Sequence, residues 1–99
     1  YHAIWCRIGD PKNPGGHADA FATSVALYLR PTMVRRDRIA RTDQRPVDWD
    51  DPDLGFARYS PSGVIGDPTG ADAELGERLW AEVVHETAAL LIEVAAGTT

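Results

Sequence analysis

The chain of 99 residues is 43% hydrophobic and 25% charged, the proportions of one ordinary globular unit with enough apolar material for a core and nothing that enforces disorder. A net charge of −5 argues against a sequence-independent grip on nucleic-acid phosphates, and the cluster "VRRDRI" is too short to reverse that balance. A single cysteine, Cys6, excludes an internal disulfide framework and a zinc ribbon; a reducing, cytoplasmic setting is therefore expected, and no segment approaches the roughly 20 apolar residues of a membrane span.

The sequence has no initiator methionine and reads as a processed or fragmentary chain. Its first run, "HAIWCRIG" (2–9), is nearly continuously apolar and is bounded by the turn-rich "GDPKNPGG". The run predicts one strand covered on both faces, as in a parallel sheet between helix layers. Trp5 within it then stands either as a core residue or as the wall of a ligand pocket at a strand end. From Ala18 to about Leu29 the pattern becomes helical, with Phe21, Val25, Tyr28 and Leu29 on one face, and Pro31 stops it. "PTMVRRDRI" predicts a short helical turn with Pro31 near its start.

Residues 40–62 carry no period and read as a loop; a loop of that length is either a solvated connection or a lid, contact arm or interface segment. Trp49 in it would close over a pocket or plug a subunit interface. The "DWDD" run (48–51) reads as a solvated turn before a weak calcium site. Val64 and Ile65 then predict a very short strand, "GDPTG" a turn, and Thr69 or Asp72 the cap of a helix running to about Ala95. Leu75, Leu79, Val83, Leu90, Leu91 and Val94 line one side of that helix. Glu77, Arg78, Glu82, Glu86 and Glu93 lie largely on the other, and His85 reads as a surface or packing histidine rather than a ligand.

Two helices and about two strands leave apolar helix faces uncovered, so further chain is expected to supply the rest of the core. The chain alone is accordingly expected not to be a stable monomer. Its three histidines, His2, His17 and His85, and its single thiol offer no pair of metal ligands at tight spacing.

Two separated segments resemble the creatininase family of metal-dependent amidohydrolases. "GGHADAFATSVALYLRPTMVRRDRI" is similar to a pattern in which a turn delivers H-A-G-x-x-E-T-S at a helix start, followed by a leucine, a proline and an apolar pair; the matches are His17, Ala18, Thr23, Ser24, Leu29, Pro31, Met33 and Val34. "GVIGDPTGADAELGERL" (63–79) resembles the family's closing segment, a G-V-x-G-D-P turn and a helix with a Gly-Glu-Arg step at Gly76, Glu77 and Arg78. The resemblance implies an α/β fold, a three-layer α/β/α sandwich with a largely parallel central sheet, of which residues 1–99 would be the C-terminal portion of one domain. It implies hydrolysis of a C–N bond in a small or cyclic amide, assisted by divalent metals, zinc or manganese. Their ligands would lie in Glu-x-His and Asn-Gly-His segments that this sequence does not contain, hence on residues outside this chain.

On that reading the partner is the chain or segment carrying the N-terminal half, in a homo- or hetero-oligomer. Two metals about 3.5–4 Å apart would polarise the amide and activate water, and a protonatable group must still reach the departing nitrogen. Histidine suits that task near neutrality. His17 holds the place of the family's motif histidine and is the expected proton donor, although a packing role in the turn stays open. The chain departs from the pattern at Asp19, where the family has glycine, and at Ala22, where it has glutamate. Asp19 lies one helical turn from Ala22 and is expected either to replace the lost carboxylate, binding substrate with Trp5, or simply to cap the helix. The alternative to an enzyme portion is a non-catalytic, degenerate subunit supporting an active homologue.

Overall fold

The computed structural model describes residues 2–13, 15–40, 47–53, 55 and 60–97. Three α-helices carry it: α1 (His2–Ile8), α2 (Ala20–Leu29) and α3 (Ala73–Ala95). Single 3-10 turns at Pro31–Met33 and Arg36–Arg38 follow α2, and a third at Pro68–Gly70 precedes α3.

The expected α/β sandwich with a parallel sheet is not what the chain forms. Among the described residues there is no strand, and β-type pairing is limited to one isolated antiparallel bridge between His17 and Ile65. The run at 2–9 is helix α1, not a strand. A short apolar run does not distinguish the two periods, and Ile4, Trp5 and Ile8 are also spaced as one helical face. Ile4 and Trp5 are buried on that face. The short strand expected at Val64–Ile65 is reduced to the single bridge.

The core forms where α1 and α2 meet the first half of α3. Ile4, Trp5, Ala20, Phe21 and Leu79 are buried together, with Ile8, Val25, Leu75 and Val83 packed at the edge. The Trp5 and Phe21 rings meet edge to face at 6.3 Å between centroids, a favoured aromatic geometry. Leu79 is fully buried, which contributes about 2 kcal/mol by removal of apolar area from water. A helix of α1's length is marginal by itself; burial of Ile4 and Trp5 holds it, while Arg7 bridges Glu82 and Glu86 of α3 at 2.8 and 3.1 Å. These pairs are half exposed and contribute at most about 1 kcal/mol.

α2 and α3 touch backbone to backbone at one place. A Cβ at Gly76 would lie 1.9 Å from the Ser24 carbonyl oxygen and 2.5 Å from its carbon. The buried Ser24 hydroxyl accepts the Asp72 amide at 3.0 Å, and the Asp72 carboxylate caps α3 by accepting from Leu75. The helix cap and the helix crossing are thus one structure. Gly76→Ala is expected to cost about 3 kcal/mol because the obstructing atoms are backbone and cannot rotate away. The urea midpoint at constant slope measures it, and an unchanged midpoint would show that the helices do not cross there.

Candidate functional site

The two sequence segments that carry the family resemblance meet in space. The His17 amide donates to the Ile65 carbonyl at 2.7 Å and the Ile65 amide donates to the His17 carbonyl at 2.8 Å. Gly16 makes this approach possible, since a Cβ there would lie 2.1 Å from the Ile65 oxygen. A second tie runs beside it: the Asn13 side-chain amide donates to the Asp67 carbonyl at 2.7 Å, and the Trp5 indole N–H donates to the Asn13 carbonyl. The turn-rich loop after α1 is thereby stitched to the "GDPTG" segment before α3.

His17 stands on this bridge with its side chain exposed. Its Nδ1 lies 2.7 Å from the Gly63 carbonyl oxygen. A carbonyl only accepts, so Nδ1 carries the hydrogen and donates it. The neutral ring is therefore the Nδ1–H tautomer, in which Nε2 is the acceptor nitrogen. Ala18, the next residue, has φ 52°, a left-handed conformation uncommon outside glycine. It turns the chain sharply from the bridge into α2.

Asp19 is completely buried. Its Oδ1 accepts the Ala22 amide at 3.0 Å, capping α2, and its Oδ2 accepts the Gly16 amide at 2.7 Å. One carboxylate thus closes the turn that carries His17 and starts the helix behind it, with the positive end of α2 favouring its charge. Ala22, which holds the place of the family glutamate, is exposed on the first turn of α2.

An apolar cleft of about 400 Å³ opens beside the turn, lined by His2, Trp5, Gly15, Gly16, Asp19 and Trp49. Trp5 and Asp19 both line it, and Trp5 comes from helix α1, not from a strand end. His17 is not among the lining residues. Trp49, which sequence leaves between pocket and interface, lies on the cleft and is half exposed. Gly63 and Ile65 as anchors of His17 escape sequence reasoning, because an isolated bridge between distant segments leaves no periodic trace. Among the described residues no group of three or more His, Cys, Asp or Glu side chains converges on a point that would hold a metal. The described residues therefore do not by themselves make up a metal centre. No helix among them is long and apolar enough to cross a membrane.

Comparison with known proteins agrees with the two motifs. The family model described as creatininase, creatinine amidohydrolase, matches residues 5–91. Proteins named mycofactocin precursor peptide peptidase are similar: that of Mycobacterium ulcerans is 38% identical over 87 residues, covering 85% of this chain and 34% of the relative. Those of Mycobacterium tuberculosis (38% over 89 residues; 85% and 34%) and Mycolicibacterium smegmatis (35% over 83 residues; 81% and 32%) are comparable. The chain thus spans about a third of the length of these relatives. No solved structure gives a significant match.

Asp19→Ala is expected to lower the unfolding free energy by about 3 kcal/mol, since it removes a helix cap and leaves the Gly16 amide without its carboxylate acceptor. Urea denaturation measures the loss. A cost below about 0.5 kcal/mol, the level of an ordinary surface substitution, would show that Asp19 does not organise the turn.

Proposed function

The chain belongs to the creatininase family, and on that footing we propose that it is the C-terminal part of a metal-dependent amidohydrolase that cleaves a C–N bond of a small or cyclic amide. The observation that carries this reading is the His17 imidazole, held through Nδ1 by the Gly63 carbonyl on the bridge that joins the family's two motifs. Divalent metals, zinc or manganese, would supply polarisation of the amide and an activated water when bound to residues outside this chain. The described residues do not themselves hold them.

What this chain contributes is a proton and a wall. With Nδ1 committed to Gly63, the imidazolium form of His17 carries its transferable proton on Nε2. Donation from there to the amide nitrogen converts a very poor leaving group into a neutral amine. Asp19 acts on this from behind, through the Gly16 amide, by fixing the turn. Its two backbone amides use both carboxylate oxygens, which supports a capping and positioning role above direct substrate contact, although its place on the cleft keeps a contact in the proposal. Trp5 and Trp49 give the cleft apolar walls suited to a small uncharged group. Ala22 favours a second reading, a non-catalytic subunit supporting an active homologue, because alanine cannot replace the family glutamate in any proton or amine contact.

In the assembly completed by the N-terminal half, His17→Ala is expected to lower turnover by about 10²–10⁴ while metal content and assembly stay unchanged. Full-rate amide hydrolysis by that variant would overturn the assignment and favour the supporting-subunit reading. Ala22→Glu is expected to leave stability within about 0.5 kcal/mol of the parent, as at other exposed positions, and to raise turnover if the lost carboxylate is what limits it. A fall in turnover would show that the site has been rebuilt around alanine.

A further inference from the structure

Positive charge in this chain is gathered in one place. Residues 30–45 hold six of its ten basic side chains, all arginine, against two of its fifteen acidic ones, a net charge of +4 in a chain whose remaining residues total −9. Two single 3-10 turns, Pro31–Met33 and Arg36–Arg38, shape the first part of the run. The Met33 amide donates to the Arg30 carbonyl and the Arg38 amide to the Arg35 carbonyl, each at 2.9 Å. Arg35, Arg36 and Arg38 are all exposed on the second turn and its cap.

A structural purpose accounts for one arginine of this group. Arg30 donates to the Leu29 carbonyl at 2.7 Å, where the last carbonyls of α2 and the negative end of its dipole favour a cation. Arg35, Arg36 and Arg38 lie beyond the last turn of the helix, where that effect has fallen off. Among the described residues the ion pairs are those of Arg7 with Glu82 and Glu86, and none of the three arginines meets a carboxylate, Asp37 between them included. Met33, in the preceding turn, is 78% exposed, more than any other large apolar side chain described.

The make-up of this surface selects its ligand. Arginine and methionine are enriched at protein interfaces, where lysine is depleted, and the guanidinium fork matches a carboxylate with two parallel hydrogen bonds. The exposed methionine calls for an apolar neighbour, which a phosphate chain does not offer. An extended polyanion or an anionic membrane would be brought against the −9 of the remaining chain. A ligand as short as the turns themselves escapes most of that repulsion, since screening at physiological ionic strength acts over about 8 Å. The chain's own acidic run at 48–53 is a poor occupant. Asp48 Oδ1 accepts the Asp50 amide at 3.1 Å and Asp51 Oδ1 accepts the Asp53 amide at 2.9 Å, so these carboxylates already close their own turns.

We propose that Arg35, Arg36 and Arg38, with Met33 in the preceding turn, form a docking surface for a short acidic segment of a partner polypeptide. Its carboxylates take the guanidinium groups, and an apolar side chain among them covers Met33. The surface follows the C-terminal end of α2, whereas His17 and Asp19 precede the N-terminal end, about 15 Å away along the helix. The docking surface therefore stands independently of the proposed function.

Fluorescence anisotropy of a labelled peptide in which glutamate alternates with leucine tests this, on the chain alone and in the assembly completed by the N-terminal half. Binding is expected in both, weakening as salt is raised. The triple variant Arg35→Gln, Arg36→Gln, Arg38→Gln is expected to weaken it at least about 10-fold, with the urea midpoint unchanged because these side chains have no partner to lose. The variant Arg35→Lys, Arg36→Lys, Arg38→Lys is expected to fall between that variant and the parent, since it keeps the charge and lacks the fork. Met33→Ser is expected to weaken binding about 3-fold. Unchanged binding by the glutamine variant, or equal binding of a control peptide with glutamine for glutamate, would overturn the proposal. So would a completed assembly that does not bind, which would show that the domain itself covers the turns. Tighter binding of oligothymidylate, or of vesicles with about 30% phosphatidylserine, would overturn it in favour of a nucleic acid or a membrane. A dimer mass in sedimentation velocity that the glutamine variant abolishes would overturn it in favour of a second copy.

Discussion

The close crossing of α2 and α3 at Ser24 and Gly76 is the constraint on which the rest of the structure depends. With no sheet among the described residues to template the elements, their relative placement is set where one helix backbone touches the other, a contact that any side chain at position 76 would forbid. The same point supplies a polar anchor, because the buried Ser24 hydroxyl takes the Asp72 amide at the mouth of α3. α1 then covers the apolar surface that the pair leaves open, through Ile4 and Trp5. The position of the α2 start, and of the turn before it, follows from that frame.

On this frame one buried carboxylate does two things. Asp19 caps α2 and closes the Gly15–Gly16 turn, while the His17–Ile65 bridge ties the turn to the segment leading into α3. His17 is therefore held from three directions: by its own backbone on Ile65, by its ring nitrogen on Gly63, and by the turn that Asp19 closes. In the proposed function, an imidazole fixed in this way would lose little freedom on meeting a substrate, which is the condition for efficient proton transfer. The left-handed Ala18 is part of the same arrangement, since it redirects the chain between the bridge and the helix.

Local features of this fold were legible in the sequence, and long-range ones were not. The helix ending at Leu29, the stop at Pro31 and the Asp72 cap of α3 appear where residue chemistry puts them, but the buried face of α2 is Ala20, Phe21, Ser24 and Leu27, and Tyr28 of the expected face is exposed. α2 begins at Ala20, two residues later than its period suggests, because Asp19 serves as its cap. The strand expected at 2–9 is a helix because a run with apolar residues at 4, 5 and 8 fits either period, and burial against α3 decides between them. The sheet expected from the family resemblance went with it. His17, Trp5 and Asp19 could be singled out from motif and composition, but their partners could not. Gly63, Ile65 and Asn13 act through backbone or terminal amide groups whose pairing across the chain has no local signature. Trp49, from a stretch without any period, lines the cleft. Positions expected within 41–46, 54 and 56–59 of the long loop lie outside the described residues.

The proposed role of His17 depends on Gly63 orienting its ring through Nδ1. The nitrogen-15 spectrum of the imidazole, recorded at a pH where the ring is neutral, tests this most directly. The account predicts a protonated Nδ1 and an unprotonated Nε2 in one stable tautomer. A ring found as the Nε2–H tautomer, or averaged between the two as in a free side chain, would contradict it.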